Sequence, residues 1–170
     1  HETLCSSEAV QMVSEGHDPV LIEWAARQAG MVVPPLKVFD EVTLRLGYHG
    51  VVQREQFTGE HIDASGVKLL KTMVEEHQRI GKVEGKGFYD YDGKKRQIWP
   101  GLKNLVAGTP GQTGVEYIAD RLLIAQVKEV IGCLEEGVLR NKRDAEVGAC
   151  ENAWLICFGA GSLNNSFETW

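Results

Sequence analysis

Histidine and cysteine are the side chains most often used for proton transfer, nucleophilic attack and metal binding, and this chain has five of one and four of the other. Their spacing assigns them little of that chemistry. Cys5, Cys133, Cys150 and Cys157 form no CxxC pair and stand at no zinc-ligand spacing to a histidine, so no metal site is expected. His17 falls in a turn, and His49, His61 and His77 lie in polar or helical settings without a motif. None of them is expected to serve as a general base, and no catalytic residue is assigned. Phe88, Tyr89 and Tyr91 have faces that can stack on a nucleotide, but so dense an aromatic run reads first as a buried anchor.

A dinucleotide site needs a glycine-rich turn between a strand and a helix, with an acidic residue further on. The glycines from Gly81 to Gly87 follow no apolar strand, and Gly159-Ala160-Gly161 is a lone fragment, so both read as turns and no cofactor-binding residue is assigned. The net charge of -6, with basic clusters only at Lys94-Lys95-Arg96 and from Arg140 to Arg143, argues against a nucleic-acid partner. An apolar share of 43% supports a sizeable core, and charges interrupt every apolar run before it reaches membrane-spanning length. Four scattered cysteines are expected to stay reduced in a cytoplasm-like compartment. The chain opens His1-Glu2-Thr3-Leu4, without an initiating methionine, and a fragment or processed piece is expected.

The elements that would hold these residues are helices. Ala9, Val10, Met12 and Val13 recur at helical spacing and Gly16 supplies a stop. Asp18-Pro19 then supplies a cap and a first-turn proline for a second helix, with Val20, Leu21, Trp24, Ala25 and Gln28 setting its period up to Gly30. Pro34-Pro35 forces a rigid turn between Met31 and Leu36. Asp40 is expected to cap the next helix, through Val42, Leu46 and Val52. Ser65 opens another helix with Leu69, Leu70, Met73 and Val74, and Asp92-Gly93-Lys94-Lys95 is a polar turn. Thr113 to Glu116 reads as a capping box for a broad apolar helix that ends at Gly137, and Asp144 is placed to cap one more.

Glu8 to Gly16 aligns without gaps against Glu129 to Gly137, and each segment precedes an aspartate-capped helix. Two tandem copies of one helical unit are therefore expected, with residues 8–54 and 117–165 superposable. The glycines and prolines between Trp99 and Gly111 place their boundary, giving units 1–108 and 109–170, the second a partial repeat.

The ordered motifs Glu15-Gly16, Asp18-Pro19, Gly30 to Pro35, Leu36 to Val42, Gly85-Lys-Gly-Phe-Tyr-Asp-Tyr91 and Trp99-Pro-Gly-Leu102 resemble the C-terminal domains of 3-hydroxyacyl-CoA dehydrogenases, in the branch of the multifunctional fatty-acid oxidation enzymes. The resemblance implies an all-α fold of the 6-phosphogluconate dehydrogenase C-terminal type, with no Rossmann domain. It implies work on an acyl-CoA substrate in β-oxidation with NAD as cofactor, held by a nucleotide-binding domain not contained in this chain, and inter-domain or homodimer contacts. It further implies that Met31, Val33, Pro34 and Pro35, with Asp40, border the acyl-CoA cleft as substrate-binding residues, on a turn expected to lie at an exposed groove. Cys5-Ser6-Ser7 stands where the family's first helix usually begins with Asn-Arg, so the asparagine that assists its catalytic His/Glu pair has no counterpart here. A non-catalytic helical interaction module is the alternative reading of the same repeated hairpins.

Overall fold

The computed structural model describes residues 4–59, 64–106, 108–110, 112–135 and 137. The expected helix from Asp144, the basic run at 140–143, Gly159 to Gly161, Cys150, Cys157 and His61 lie outside them, as does most of the second repeat. The side chains of Cys5 and Cys133 lie outside them too.

The chain is mainly helical, as its periodicity indicates. Helix α1 (Leu4–Ser14) is the central element, packed against α3 (Pro35–Val42), α5 (Ser65–Lys71) and α7 (Val115–Glu135). Ala9, Val10, Met12 and Val13 are at most 1% exposed and form a broad buried face on α1. Gly16 ends it at φ 101°, a conformation that costs glycine little, and a Cβ there would lie 2.1 Å from the Gly108 carbonyl oxygen.

Helix α2 (Pro19–Gln28) starts as expected: Asp18 Oδ1 accepts the Val20 amide at 3.0 Å and Pro19 occupies the first turn. Its inner face is rotated from the one expected. Pro19, Ile22, Glu23, Ala25 and Ala26 are buried, whereas Val20 and Trp24 are exposed. The small residues face inward because α2 packs closely against α7.

The single helix expected from Asp40 is two helices, and Asp40 is not a cap. It sits inside α3, fully buried, and the break falls at Thr43 with φ 85° before α4 (Leu44–Thr58). Thr43 Oγ1 accepts the Leu46 amide at 3.3 Å, and the Leu44 amide donates to the Ile80 carbonyl at 2.7 Å. A β-branched residue in that conformation is strained by about 1–3 kcal/mol. The break is held because it drives Leu44 into the core and lets the chain at Gly81 cross over it.

Helix α5 runs on into a π turn at Thr72–Glu76, which buries Met73. A 3-10 turn at Lys82–Glu84 follows, and then the hairpin of β1 (Tyr89–Asp92) and β2 (Lys95–Ile98), antiparallel with Asp92 opposite Lys95. The polar turn expected at 92–95 joins two short strands that the residue pattern does not signal. Tyr89 and Tyr91, two residues apart, share one face of the hairpin and take it to the helices. Helix α6 (Leu102–Leu105) is one turn long, and α7 lays Ile118 and Leu122 onto α1 and α2 before Gly137 at φ 72°.

Candidate functional site

The polar centre of the molecule starts from an unfilled helix terminus. The residue before α3, Pro34, has no capping side chain, and Pro35 has no amide hydrogen to donate. Glu23 of α2 supplies the missing acceptor: its Oε1 takes the Leu36 amide at 2.8 Å, and its Oε2 takes the Tyr89 hydroxyl. One buried carboxylate thus joins α2, the first turn of α3 and the hairpin. Burial raises the Glu23 pKa, while the Tyr89 phenol and the amides of Leu36 and Lys37 pull it back.

Asp40 makes a second such joint one turn further along. Oδ1 accepts the Phe88 amide at 2.7 Å, and Oδ2 accepts the Tyr89 amide at 3.0 Å and the Tyr91 hydroxyl at 2.9 Å. Burial pushes its pKa up to about 6 against the pull of those donors and of Arg79. Burial, with the neighbouring carboxylates, also holds both phenols far above the usual tyrosine value. Arg79 closes the hairpin from its other side. It donates to the carbonyls of Gly87 and Tyr89 at 2.7 and 3.1 Å, pairs with Asp90 at 2.5 Å, and lies 4.2 Å over the Trp99 ring.

Almost every residue of the run Gly85 to Tyr91 is accounted for by this arrangement. Gly85 turns at φ 73°, Phe88 is fully buried, and Tyr89, Asp90 and Tyr91 bind Glu23, Arg79 and Asp40. Gly87 lies so close to Asp40 that a Cβ would fall 2.1 Å from Oδ1. In the run Trp99 to Leu102, Gly101 lies against the Trp99 ring and Leu102 enters the core.

The turn ahead of α3 is split between inside and outside. Met31, Pro34 and Pro35 are buried; Val33 is half-buried and Val32 is exposed. Of the turn expected at an exposed groove, the Val32-Val33 tip reaches the surface and Met31, Pro34, Pro35 and Leu36 do not. Met31, Pro34 and Pro35 lie behind that tip, and Asp40 stands apart from it, engaged by the hairpin. Glu23 and Arg79 were not singled out from sequence. A single acidic residue within the stripe Pro19, Ile22, Glu23, Ala26 was the available signal, since a buried carboxylate requires donors.

Among the described histidines, His17 lies beside a carboxylate, its Nε2 3.9 Å from Glu15 Oε2. His17 is buried against Tyr117 with Nδ1 unpartnered; burial, aided by Arg121, lowers its pKa. His77 packs on Trp99 and His49 beside Tyr48. A cleft of about 250 Å³ lies beside His17, walled by Val13, Pro19, Leu102, Val106 and Lys103. Arg121 of α7 reaches Glu8 of α1 at 2.8 Å and Glu15, just past the end of α1, at 2.6 Å, which holds the Glu15 carboxyl below its usual range.

Gly81 and Gly87 are pressed against Asp40, which leaves no room at either glycine to cradle a pyrophosphate. The segment from Gly81 to Gly87 does not fit a nicotinamide dinucleotide. Both central carboxylates already have donors from within the chain, so the arrangement positions backbone rather than reacting groups. Among the described residues no three His, Cys, Asp or Glu side chains converge as metal ligands, and no helix is long and apolar enough to cross a membrane. A protein-family model described as 3-hydroxyacyl-CoA dehydrogenase, C-terminal domain matches residues 3–91, which run from the start of α1 to the last tyrosine of the locked hairpin.

Proposed function

From the premise that the chain belongs to the family of 3-hydroxyacyl-CoA dehydrogenase C-terminal domains, we propose that it is the helical part of an NAD-dependent 3-hydroxyacyl-CoA dehydrogenase of β-oxidation. In this reading NAD is held by a nucleotide domain outside these 170 residues. The helical part forms one wall of the acyl-CoA cleft and is inactive by itself. The observation that carries the reading is the family match ending on a hairpin whose Tyr91 hydroxyl binds Asp40 of α3 and whose Tyr89 hydroxyl binds Glu23, the acceptor of the Leu36 amide. Val33 and Val32 offer the apolar surface of that wall; Met31, Pro34 and Pro35 back it, and Asp40 acts at one remove. A cytoplasmic enzyme of the multifunctional type, built from tandem units 1–108 and 109–170, is the arrangement we favour. Exposed Val20 and Trp24 on α2, and Ile124 on α7, are apolar surface suited to a neighbouring domain or a second copy. The same surface supports the alternative, an interaction module without catalysis.

The test is nicotinamide reduction with 3-hydroxybutyryl-CoA, followed at the NADH absorbance band. The isolated chain is expected to give none. The chain joined behind a dehydrogenase nucleotide domain, with Asn-Arg restored ahead of Glu8, is expected to turn over. Turnover by the isolated chain, or silence of a folded fusion, overturns the reading.

A further inference from the structure

The geometry points to Glu23 as a positioning residue for substrate binding, through which the hairpin at 89–98 sets the placement of the Met31–Leu36 turn. The inference rests on the cleft-wall reading above and goes beyond it, because Glu23 lies in no motif of the family resemblance and touches no substrate surface.

The turn has few internal means of fixing its own position. Gly30 precedes it at φ 93°, and its last two residues before Leu36 are prolines, which donate no amide hydrogen bond. One end is tied by the Met31 amide, which donates to the Ala26 carbonyl at 3.0 Å. At the other end the first amide hydrogen is that of Leu36, and it goes to Glu23 Oε1 at 2.8 Å rather than to any residue of the turn or of α3. The Glu23 carboxylate is buried, so its direction is set by its second oxygen, which receives the Tyr89 hydroxyl. Tyr89 is fixed in turn by its amide on Asp40 at 3.0 Å and its carbonyl on Arg79 at 3.1 Å. The chain of contacts from Arg79 and Asp40 through Tyr89 and Glu23 to Leu36 is continuous and shielded from water. It ends three residues from Val33, the half-buried part of the tip offered to the acyl chain.

A role in positioning predicts a particular kinetic signature. Loss of Glu23 should let the turn move, weakening acyl-CoA binding, while the hydride step in the nucleotide domain proceeds as before once substrate is bound. Glu23→Gln should preserve function, since its oxygen can still accept the Leu36 amide and its NH₂ can donate to the Tyr89 oxygen.

Glu23→Ala, Glu23→Gln and Tyr89→Phe are made in the fusion described above, and KM and kcat are measured with 3-hydroxybutyryl-CoA and 3-hydroxydecanoyl-CoA. Leu36 amide exchange is followed in the chain alone. Glu23→Ala is expected to raise KM about tenfold, with kcat within about twofold and Leu36 exchange accelerated at least about tenfold. Glu23→Gln is expected to stay within about twofold of the parent in all three. Tyr89→Phe keeps the ring in the core and is expected to move KM and exchange in the same direction by about threefold, carrying the test if Glu23→Ala does not fold. Faster Leu36 exchange with an unchanged KM overturns the inference and leaves the family reading intact; so does a fall in kcat at constant KM. A parent fusion without activity overturns the cleft-wall reading and this inference with it.

Discussion

Replacing Gly87 with alanine tests whether the contact between the hairpin and α3 is as close as the structure places it. An added Cβ would lie 2.1 Å from Asp40 Oδ1, 2.3 Å from its Cγ and 2.5 Å from Oδ2, against an ordinary contact of 3.4 Å. The carboxylate would have to retreat by about 1.3 Å, the difference between 3.4 and 2.1 Å. Retreat along that line stretches its 2.7 and 3.0 Å bonds to the Phe88 and Tyr89 amides beyond hydrogen-bonding range. A hydrogen bond to a charged group is worth about 1.5–3 kcal/mol, so losing two gives about 3–6 kcal/mol, of which shared backbone shifts recover part. A loss of at least about 3 kcal/mol is expected, a large share of the 5–15 kcal/mol typical of a whole domain. Urea unfolding at neutral pH reads it: with m of about 2 kcal/mol/M, the midpoint should fall by at least about 1.5 M. In an Asp40→Ala background the same substitution should cost much less, because the group it strikes is gone. A midpoint within about 0.3 M of the parent, or equal costs in both backgrounds, would refute the close contact.

Two further outcomes follow from the charged groups. The folded-state pKa of Asp40, about 6, lies above its ordinary 3.8, so the folded chain takes up the proton first. Its contribution is fully present below 3.8 and is lost as pH rises through about 6. The stability difference between the parent and Asp40→Asn, measured by urea unfolding, should therefore move in the parent's favour by about 2–3 kcal/mol from pH 7 to pH 4; a difference flat across that window counts against the buried carboxylate. Arg121→Met should cost about 1–2 kcal/mol at low salt, by freeing Glu8 on α1 and Glu15 just past its end, and less at high salt. Glu15, held low chiefly by Arg121, stabilises the fold above its ordinary pKa and ceases to as pH falls, so the cost should also shrink on acidification. Unchanged thermal unfolding of this variant at neutral pH would show that α7 needs no polar tie to α1.

Sequence and structure agree where a local rule acts alone. Asp18-Pro19 caps α2, Gly16 and Gly137 turn left-handed at helix ends, and the apolar stripe of α1 is buried. They part where a partner distant in sequence decides. Asp40 has the residue type of a cap, but Phe88, Tyr89 and Tyr91 claim its carboxylate and place it mid-helix. Nothing within ten residues of Asp40 announces those donors. Periodicity places Val20 and Trp24 beside Ala25 on the inner face of α2 because they outrank Ala26 in hydrophobicity, whereas the face buried in the fold keeps Ala25 and adds Ile22, Glu23 and Ala26. Glu23 went unseen for a related reason: its ligands, Leu36 and Tyr89, lie 13 and 66 residues away.

These long-range contacts account for the side chains of the most recognisable stretch of the chain. Phe88 enters the core, and Tyr89, Asp90 and Tyr91 spend their polar atoms on Glu23, Arg79 and Asp40. A polar group left unpartnered at one of the buried positions, Tyr89, Glu23, Asp40 or Arg79, would cost about 1–3 kcal/mol, so the residues constrain one another as a set. Glycine at 87 is required because the Asp40 carboxylate occupies the space a side chain would take. A signature of this kind specifies a rigid support. In the reading proposed above, the reacting groups belong to the nucleotide domain, and what the helical part adds is a turn whose Val32-Val33 tip is held still by contacts made on its buried side.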